Sequence, residues 1–138
     1  MNDPIWASRT VVDAVHTNQL QEHGGLQGTR DVNALEAALA RPQHKQTSEP
    51  EADVADLAAA YAFGLATAHP YADGNKRTAF VVAIIFLELS GFDFGLPDGD
   101  VIVDTMRAVA NSARSERQLA SWIRGALIPL EPPRSGMP

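Results

Sequence analysis

The chain has 138 residues, 45% of them apolar and 20% charged, which suits one compact domain with its own core and excludes extensive disorder. It contains no cysteine, which rules out disulfides and thiolate metal sites and fits a reducing cytoplasm. A formal net charge of -6, with no basic grouping denser than Lys76-Arg77, argues against direct nucleic-acid binding, which exchanges basic side chains for counterions.

Met1 to Trp6 carry neither a basic start nor an apolar run, so no signal peptide is expected. Val11, Val12, Val15 and Leu20 form a rough helical stripe that Gly24-Gly25 ends. Gly24 to Thr29 holds three glycines and little that can build a core, so it reads as a flexible loop. Asp31 can cap a short helix to about Ala40, with Leu35 and Leu39 on one face, and Arg41-Pro42 stops it. Gln43 to Glu51 then reads as an exposed linker.

The clearest helix comes next. Val54, Leu57, Ala58, Tyr61, Ala62 and Leu65 share a face, and the intervening alanines let neighbouring helices approach closely. It should end near His69, because Pro70 disfavours helical geometry at the residue before it. A second helix, about Asn75 to Leu89, is apolar nearly all round from Ala79 to Leu87, the pattern of a central helix. That run is too short to span a bilayer, so no membrane partner is expected.

Gly91 supplies the stop, and Phe92-Asp93-Phe94 reads as a short extended piece before a turn at Pro97-Asp98-Gly99. Val101 to about Ala110 is amphipathic and helical, and Ser115 with Gln118 forms a capping box that opens a last helix through Ala126. The expected organisation is one all-α, soluble, cytoplasmic domain over residues 1–128. A disordered tail with four prolines follows over 129–138.

The chemistry concentrates between the two apolar helices. His69 ends one and Asn75-Lys76-Arg77 begins the other, so the tight connection turns the second helix's first turn back toward His69. A helix N-terminus presents unsatisfied N–H groups and favours acidic residues, yet this one carries Lys76 and Arg77. A bound anion resolves the conflict, with Gly74 allowing close approach of the backbone. His69 suits a general base and Asp73 a Mg2+ ligand beside phosphates, although Asp73 can also simply cap the helix. Lys76 can touch phosphate or stay in solvent, and Thr78 suits packing or a bond back to its own helix. His16, His23 and His44 read as surface residues, and nothing completes a zinc site around His69 and Asp73.

The run His69-Pro70-Tyr71-Ala72-Asp73-Gly74-Asn75-Lys76-Arg77-Thr78-Ala79 resembles the signature of the Fic/Doc family. Gly24 to Asp31 and Leu35 to Pro42 resemble its death-on-curing (Doc) branch, and the likeness covers roughly residues 10 to 126. It implies a compact helical bundle with a central apolar helix, and the toxin of a bacterial toxin-antitoxin pair. In this likeness His69 is the base and Asp73 the Mg2+ ligand. Gly74, Asn75, Lys76 and Arg77 hold the phosphates of ATP, and Gly24, Gly25, Leu26, Gln27, Gly28 and Thr29 form a flap that aligns the target. The same loop also reads, on composition alone, as a plain helix connection.

Adenylylating relatives carry glycine where this chain has Lys76. The Doc branch, which shares the lysine, implies transfer of the γ-phosphate to a hydroxyl of elongation factor Tu. Protein adenylylation is the alternative within the enzyme class, and a nucleotide-binding module without transfer is the alternative outside it. Many relatives are restrained by a glutamate in a Ser/Thr-x-x-x-Glu-Gly/Asn helix. Ser112 to Glu116 has that spacing, but Arg117 breaks the pattern, so a separate antitoxin chain is the implied partner.

Overall fold

A computed structural model describes residues 4–130 and places six helices and one two-stranded sheet among them. Helix α1 (Arg9–His23) starts at Ser8, whose hydroxyl accepts from the Val11 N–H, and ends at Gly24, a glycine with φ of 78°. One face of α1, with Val12, Val15, His16, Gln19 and Leu20, is buried.

Helix α2 (Val32–Ser48) is capped by Asp31 and runs straight through Pro42. The expected stop at Arg41-Pro42 and the linker over 43–51 are therefore corrected: most of that linker is helix. A proline inside a helix costs about 3 kcal/mol through its missing N–H and its ring clash. Here Leu35, Ala38, Leu39 and Pro42 all bury against the core. The second half is further held by Lys45, which pairs with Glu49 at 3.0 Å and Glu116 at 3.1 Å, and by Arg41 on Glu116 at 2.7 Å. Sequence-local signals show the break but not the tertiary contacts that offset it.

Helix α3 (Val54–Ala68) opens with a reciprocal capping box between Asp53 and Asp56. It packs against α2, against α4 (Asn75–Leu89) and against α6 (Glu116–Arg124), and eleven of its fifteen residues are buried. The close approach rests on small side chains: a methyl at Gly64 would already stand 3.5 Å from the Ala38 Cβ. Thus α3, not α4, is the central helix. Phe80, Val81, Ile84 and Ile85 of α4 are only partly buried, and its apolar girdle is one half core and one half surface.

Strand β1 (Phe92–Phe94) pairs antiparallel with β2 (Leu127–Pro129), Asp93 opposite Ile128. The disordered tail read from Pro129 is corrected at its start, because Pro129 sits in β2 and the Leu130 N–H donates to Gly91 at 2.9 Å. The rest of that expected tail, 131–138, lies outside the described residues. Helix α5 (Gly99–Ala110) precedes α6, whose Ser115–Gln118 capping box forms as expected. Arg124 at the end of α6 grips Asp53 and Asp56, tying it to the start of α3. Among the described residues no helix is long and apolar enough to cross a membrane.

Candidate active site

The connection from α3 to α4 is held from inside. His69 closes α3 in the left-handed region, with φ of 49° and ψ of 55°. Tyr71 then turns into the core, 3% exposed. Its hydroxyl donates to Asp13 at 2.7 Å, and its ring stacks on His16 with centroids 3.7 Å apart and planes 8° from parallel. Burial foremost, and then the Asp13 carboxylate, push the Tyr71 phenol well above its ordinary value, so it stays a donor. The Asn75 amide clamps the same residue, its Oδ1 accepting from the Tyr71 N–H and its Nδ2 donating to the Tyr71 carbonyl, both at 2.9 Å.

That clamp changes the reading of Asn75. Both ends of its side chain are engaged with the Tyr71 backbone, so what it offers an anion is its main-chain N–H. Helix α4 opens on Gly74 in the left-handed region with no side-chain cap. Among the described residues, the Asn75, Lys76 and Arg77 N–H groups have no acceptor, while the Thr78 N–H bonds back to Gly74 at 3.0 Å. Lys76 and Arg77 are exposed beside them. The first turn is therefore a patch of bare N–H donors ringed by two cations.

A cleft of about 540 Å³ opens there. Asp73, Gly74, Asn75, Lys76 and Arg77 line it together with the apolar Phe80, Val81, Ile102, Val103 and Met106, and Gln19, His23 and Arg107 also border it. His69 is not among the cleft residues; it stands half-buried at the far end of the same loop, where its carbonyl accepts from Arg30 at 2.7 Å. Asp73 is exposed, and its carboxylate accepts from the Gly74 N–H at 3.0 Å and the Leu26 N–H at 3.3 Å. The Leu26 and Gly74 donors chiefly, with the Arg77 and Lys76 charges behind them, hold it below the usual carboxylate range. Thr78 is fully buried, and its hydroxyl has no partner among the described residues, so of its two expected roles it takes packing and not the bond back to its helix.

The flap is half anchored and half tethered. Thr29 bridges Tyr71, the Ala72 N–H donates to Gly28 at 3.0 Å, and the Arg30 and Asp31 N–H groups share the Pro70 carbonyl. This pattern turns the Thr29 main-chain groups outward, leaving an edge that an extended chain can pair with. Toward α1 the hold is lighter: Leu26 on Asp73, and Arg77 donating to the Gly24 carbonyl at 3.3 Å. Leu26 itself is 70% exposed. Gln27 lines a second cleft, of about 340 Å³, between the flap and α1.

His16, expected on the surface, is buried, and its Nε2 lies 2.8 Å from the Asp73 carbonyl. The signal was present: residues 12, 15, 16, 19 and 20 share one face of α1, and a histidine on that stripe faces inward. His23 and His44 are exposed, as expected. Glu116 pairs with Arg41 and Lys45 on another side of the bundle, so it does not serve Arg77.

A family model described as the Fic/DOC family matches residues 6–87. The chain is 30% identical to the protein kinase doc of Escherichia phage P1 over 115 residues, 72% of this chain and 91% of that one. It is 39% identical to the toxin Doc of Mycolicibacterium smegmatis over 106 residues, 74% of this chain and 80% of that one.

Proposed function

Since the chain belongs to the Fic/DOC family and to its Doc branch, we propose that it is the toxin of a toxin-antitoxin pair, a protein kinase that moves the γ-phosphate of ATP onto a Ser/Thr hydroxyl of elongation factor Tu. The observation that carries this reading is the start of α4: three bare N–H groups, Lys76 and Arg77 at a cleft that also has apolar walls. Such an end binds phosphate through its dipole and donors together. The apolar lining, with Phe80 and Met106, suits a nucleoside base.

Asp73 fits a Mg2+ carried in by the nucleotide. Its carboxylate is exposed, ionised and at the cleft, and Mg2+ takes one or two protein carboxylates beside phosphate oxygens. Among the described residues no group of three His, Cys, Asp or Glu side chains could hold a metal alone. When bound, the ion neutralises charge on the phosphate oxygens.

His69 takes the proton of the target hydroxyl while that oxygen bonds to the γ-phosphorus. The bond from phosphorus to the bridging oxygen breaks, ADP leaves, and the proton passes from His69 to water. The Arg77 and Lys76 cations and the α4 amides stabilise the charge on the transferred group. The outward edge at Thr29 lays the target segment alongside the loop. Lys76 occupies the position where adenylylating relatives have glycine, which favours phosphate over adenylate transfer. Because Glu116 is committed to Arg41 and Lys45, restraint falls to a separate antitoxin chain.

The test supplies purified elongation factor Tu with ATP labelled at either the γ or the α phosphate. Label from the γ position, lost by roughly 10²- to 10⁴-fold in His69→Ala, is the expected result for a general base. Label from the α position turns the assignment to adenylylation, and none from either overturns the enzyme.

A further inference from the structure

Outside the motif, α1 makes one contact with it that the proposed chemistry does not use. His16 is 5% exposed, on a helix face otherwise made of Val12, Val15, Gln19 and Leu20. Its Nε2 lies 2.8 Å from the Asp73 carbonyl oxygen, and a carbonyl can only accept, so Nε2 carries a proton there. The ring cannot swing away, because it stacks on Tyr71 at 3.7 Å, and Tyr71 is held at its hydroxyl by Asp13 and at its backbone by Asn75. Asp13 and His16 stand one turn apart on α1, so a single rigid helix grips both the side chain and the main chain of the loop.

The carbonyl of Asp73 and the N–H of Gly74 belong to one peptide plane. In a trans peptide they point in opposite directions. Drawing the carbonyl toward α1 therefore aims the Gly74 N–H away from α1, where it meets the Asp73 carboxylate at 3.0 Å. Gly74, at φ of 75°, has no Cβ to resist a rotated peptide, and a methyl built there would stand 3.7 Å from the His16 ring. Without the His16 bond this plane is free to flip. A flip turns the carbonyl away from α1 and releases the Asp73 carboxylate from its nearest donor.

We propose that His16 is a positioning residue: it locks the Asp73–Gly74 peptide so that its carbonyl stays on α1 and the Gly74 N–H holds the Asp73 carboxylate in place beside the bound nucleotide. This rests on the anion-binding reading of the α4 start. Losing one hydrogen bond to a charged group corresponds to roughly a 10- to 100-fold change in affinity.

Two substitutions separate the lock from plain packing. His16→Phe keeps a flat ring on Tyr71 and removes the donor; His16→Gln places an amide N–H near the Nε2 position and removes the stack. Thermal unfolding, calorimetric titration with MgATP, and the Gly74 and Asn75 amide resonances in nitrogen-15 NMR spectra are read for each. The lock predicts that His16→Phe binds MgATP roughly 10- to 100-fold more weakly, with shifted amides but a near-unchanged midpoint, and that His16→Gln regains most of the affinity. Wild-type affinity in His16→Phe, or affinities that merely track the unfolding midpoints, overturn it. If wild-type protein itself fails to bind MgATP, the nucleotide reading falls, and the unliganded resonances alone decide: a Gly74 amide moved in His16→Phe and returned in His16→Gln supports the lock, and one unmoved overturns it.

Discussion

At the scale of single residues, the difference between Asn75 and its neighbours is the instructive one. All of the motif reads from sequence as a phosphate cradle, because Gly, Asn, Lys and Arg at a helix start share that chemistry. Yet an amide four residues after Tyr71 can equally clamp the Tyr71 backbone, and the structure puts it to that use. Asn75→Ala is expected to lower folding stability by about 1–3 kcal/mol, because two main-chain groups lose their partner. Urea unfolding measures it; a variant as stable as wild type would return Asn75 to the role of a simple ligand. The burial of His16 is hidden in the sequence for a different reason. A histidine carries no hydropathic mark of burial, so only its place on the Val12–Leu20 stripe reveals it.

At the scale of elements, two capped boundaries are legible from sequence. Asp31 and Ser115 stand where α2 and α6 begin, whereas the caps of α1 at Ser8 and of α3 at Asp53 emerge only in the structure. What is not legible is long-range: α2 outlasting Pro42, and β2, which pairs with β1 far back in the chain. The clasp between α6 and α3 is of the same long-range kind, and it titrates. Arg124 foremost, with the Asp56 backbone, pulls the Asp53 carboxyl down to about 2. A depressed carboxyl contributes stability that is present above its unfolded value of 3.8 and is lost as the pH falls through its folded value. Arg124→Ala should therefore be less stable than wild type at neutral pH, by roughly 1 kcal/mol or less for so exposed a pair, with the gap closing between pH 4 and pH 2. A gap that persists unchanged at the acid end would contradict the assignment.

The flap is an element whose tether depends on glycine. Gly25 has φ of 126°, and a methyl on it would stand 2.8 Å from the Asp73 Oδ2. Gly25→Ala is expected to cost about 1–3 kcal/mol through its backbone strain and to push the flap off Asp73. Faster hydrogen exchange at the Leu26 amide reports the displacement, and an unchanged rate would show that the tether survives.

At the scale of the whole molecule, the helical architecture was legible because α3 and α4 are so apolar; their relative depth was not. Hydropathy ranks α4 beside α3, but side-chain size decides which is enclosed, and the alanines and Gly64 let α3 be crowded from three sides. Charge also belongs to this scale. The chain is net -6, yet Lys76 and Arg77 make the cleft mouth locally positive. The affinity for MgATP should fall several-fold between low and high salt as these exposed cations are screened. Lys76→Ala should flatten that dependence in titrations at several salt concentrations, and an equal slope in both proteins would place the lysine outside the binding field.

The corner at His69 sets robustness against reactivity. A left-handed backbone is cheap for glycine and costs roughly 1–2 kcal/mol for a residue with a Cβ, yet here it carries an imidazole. Glycine would close the central helix more comfortably there, at the loss of the base that we propose. A folding measurement alone would therefore favour glycine at this corner, and only the proposed transfer chemistry favours histidine.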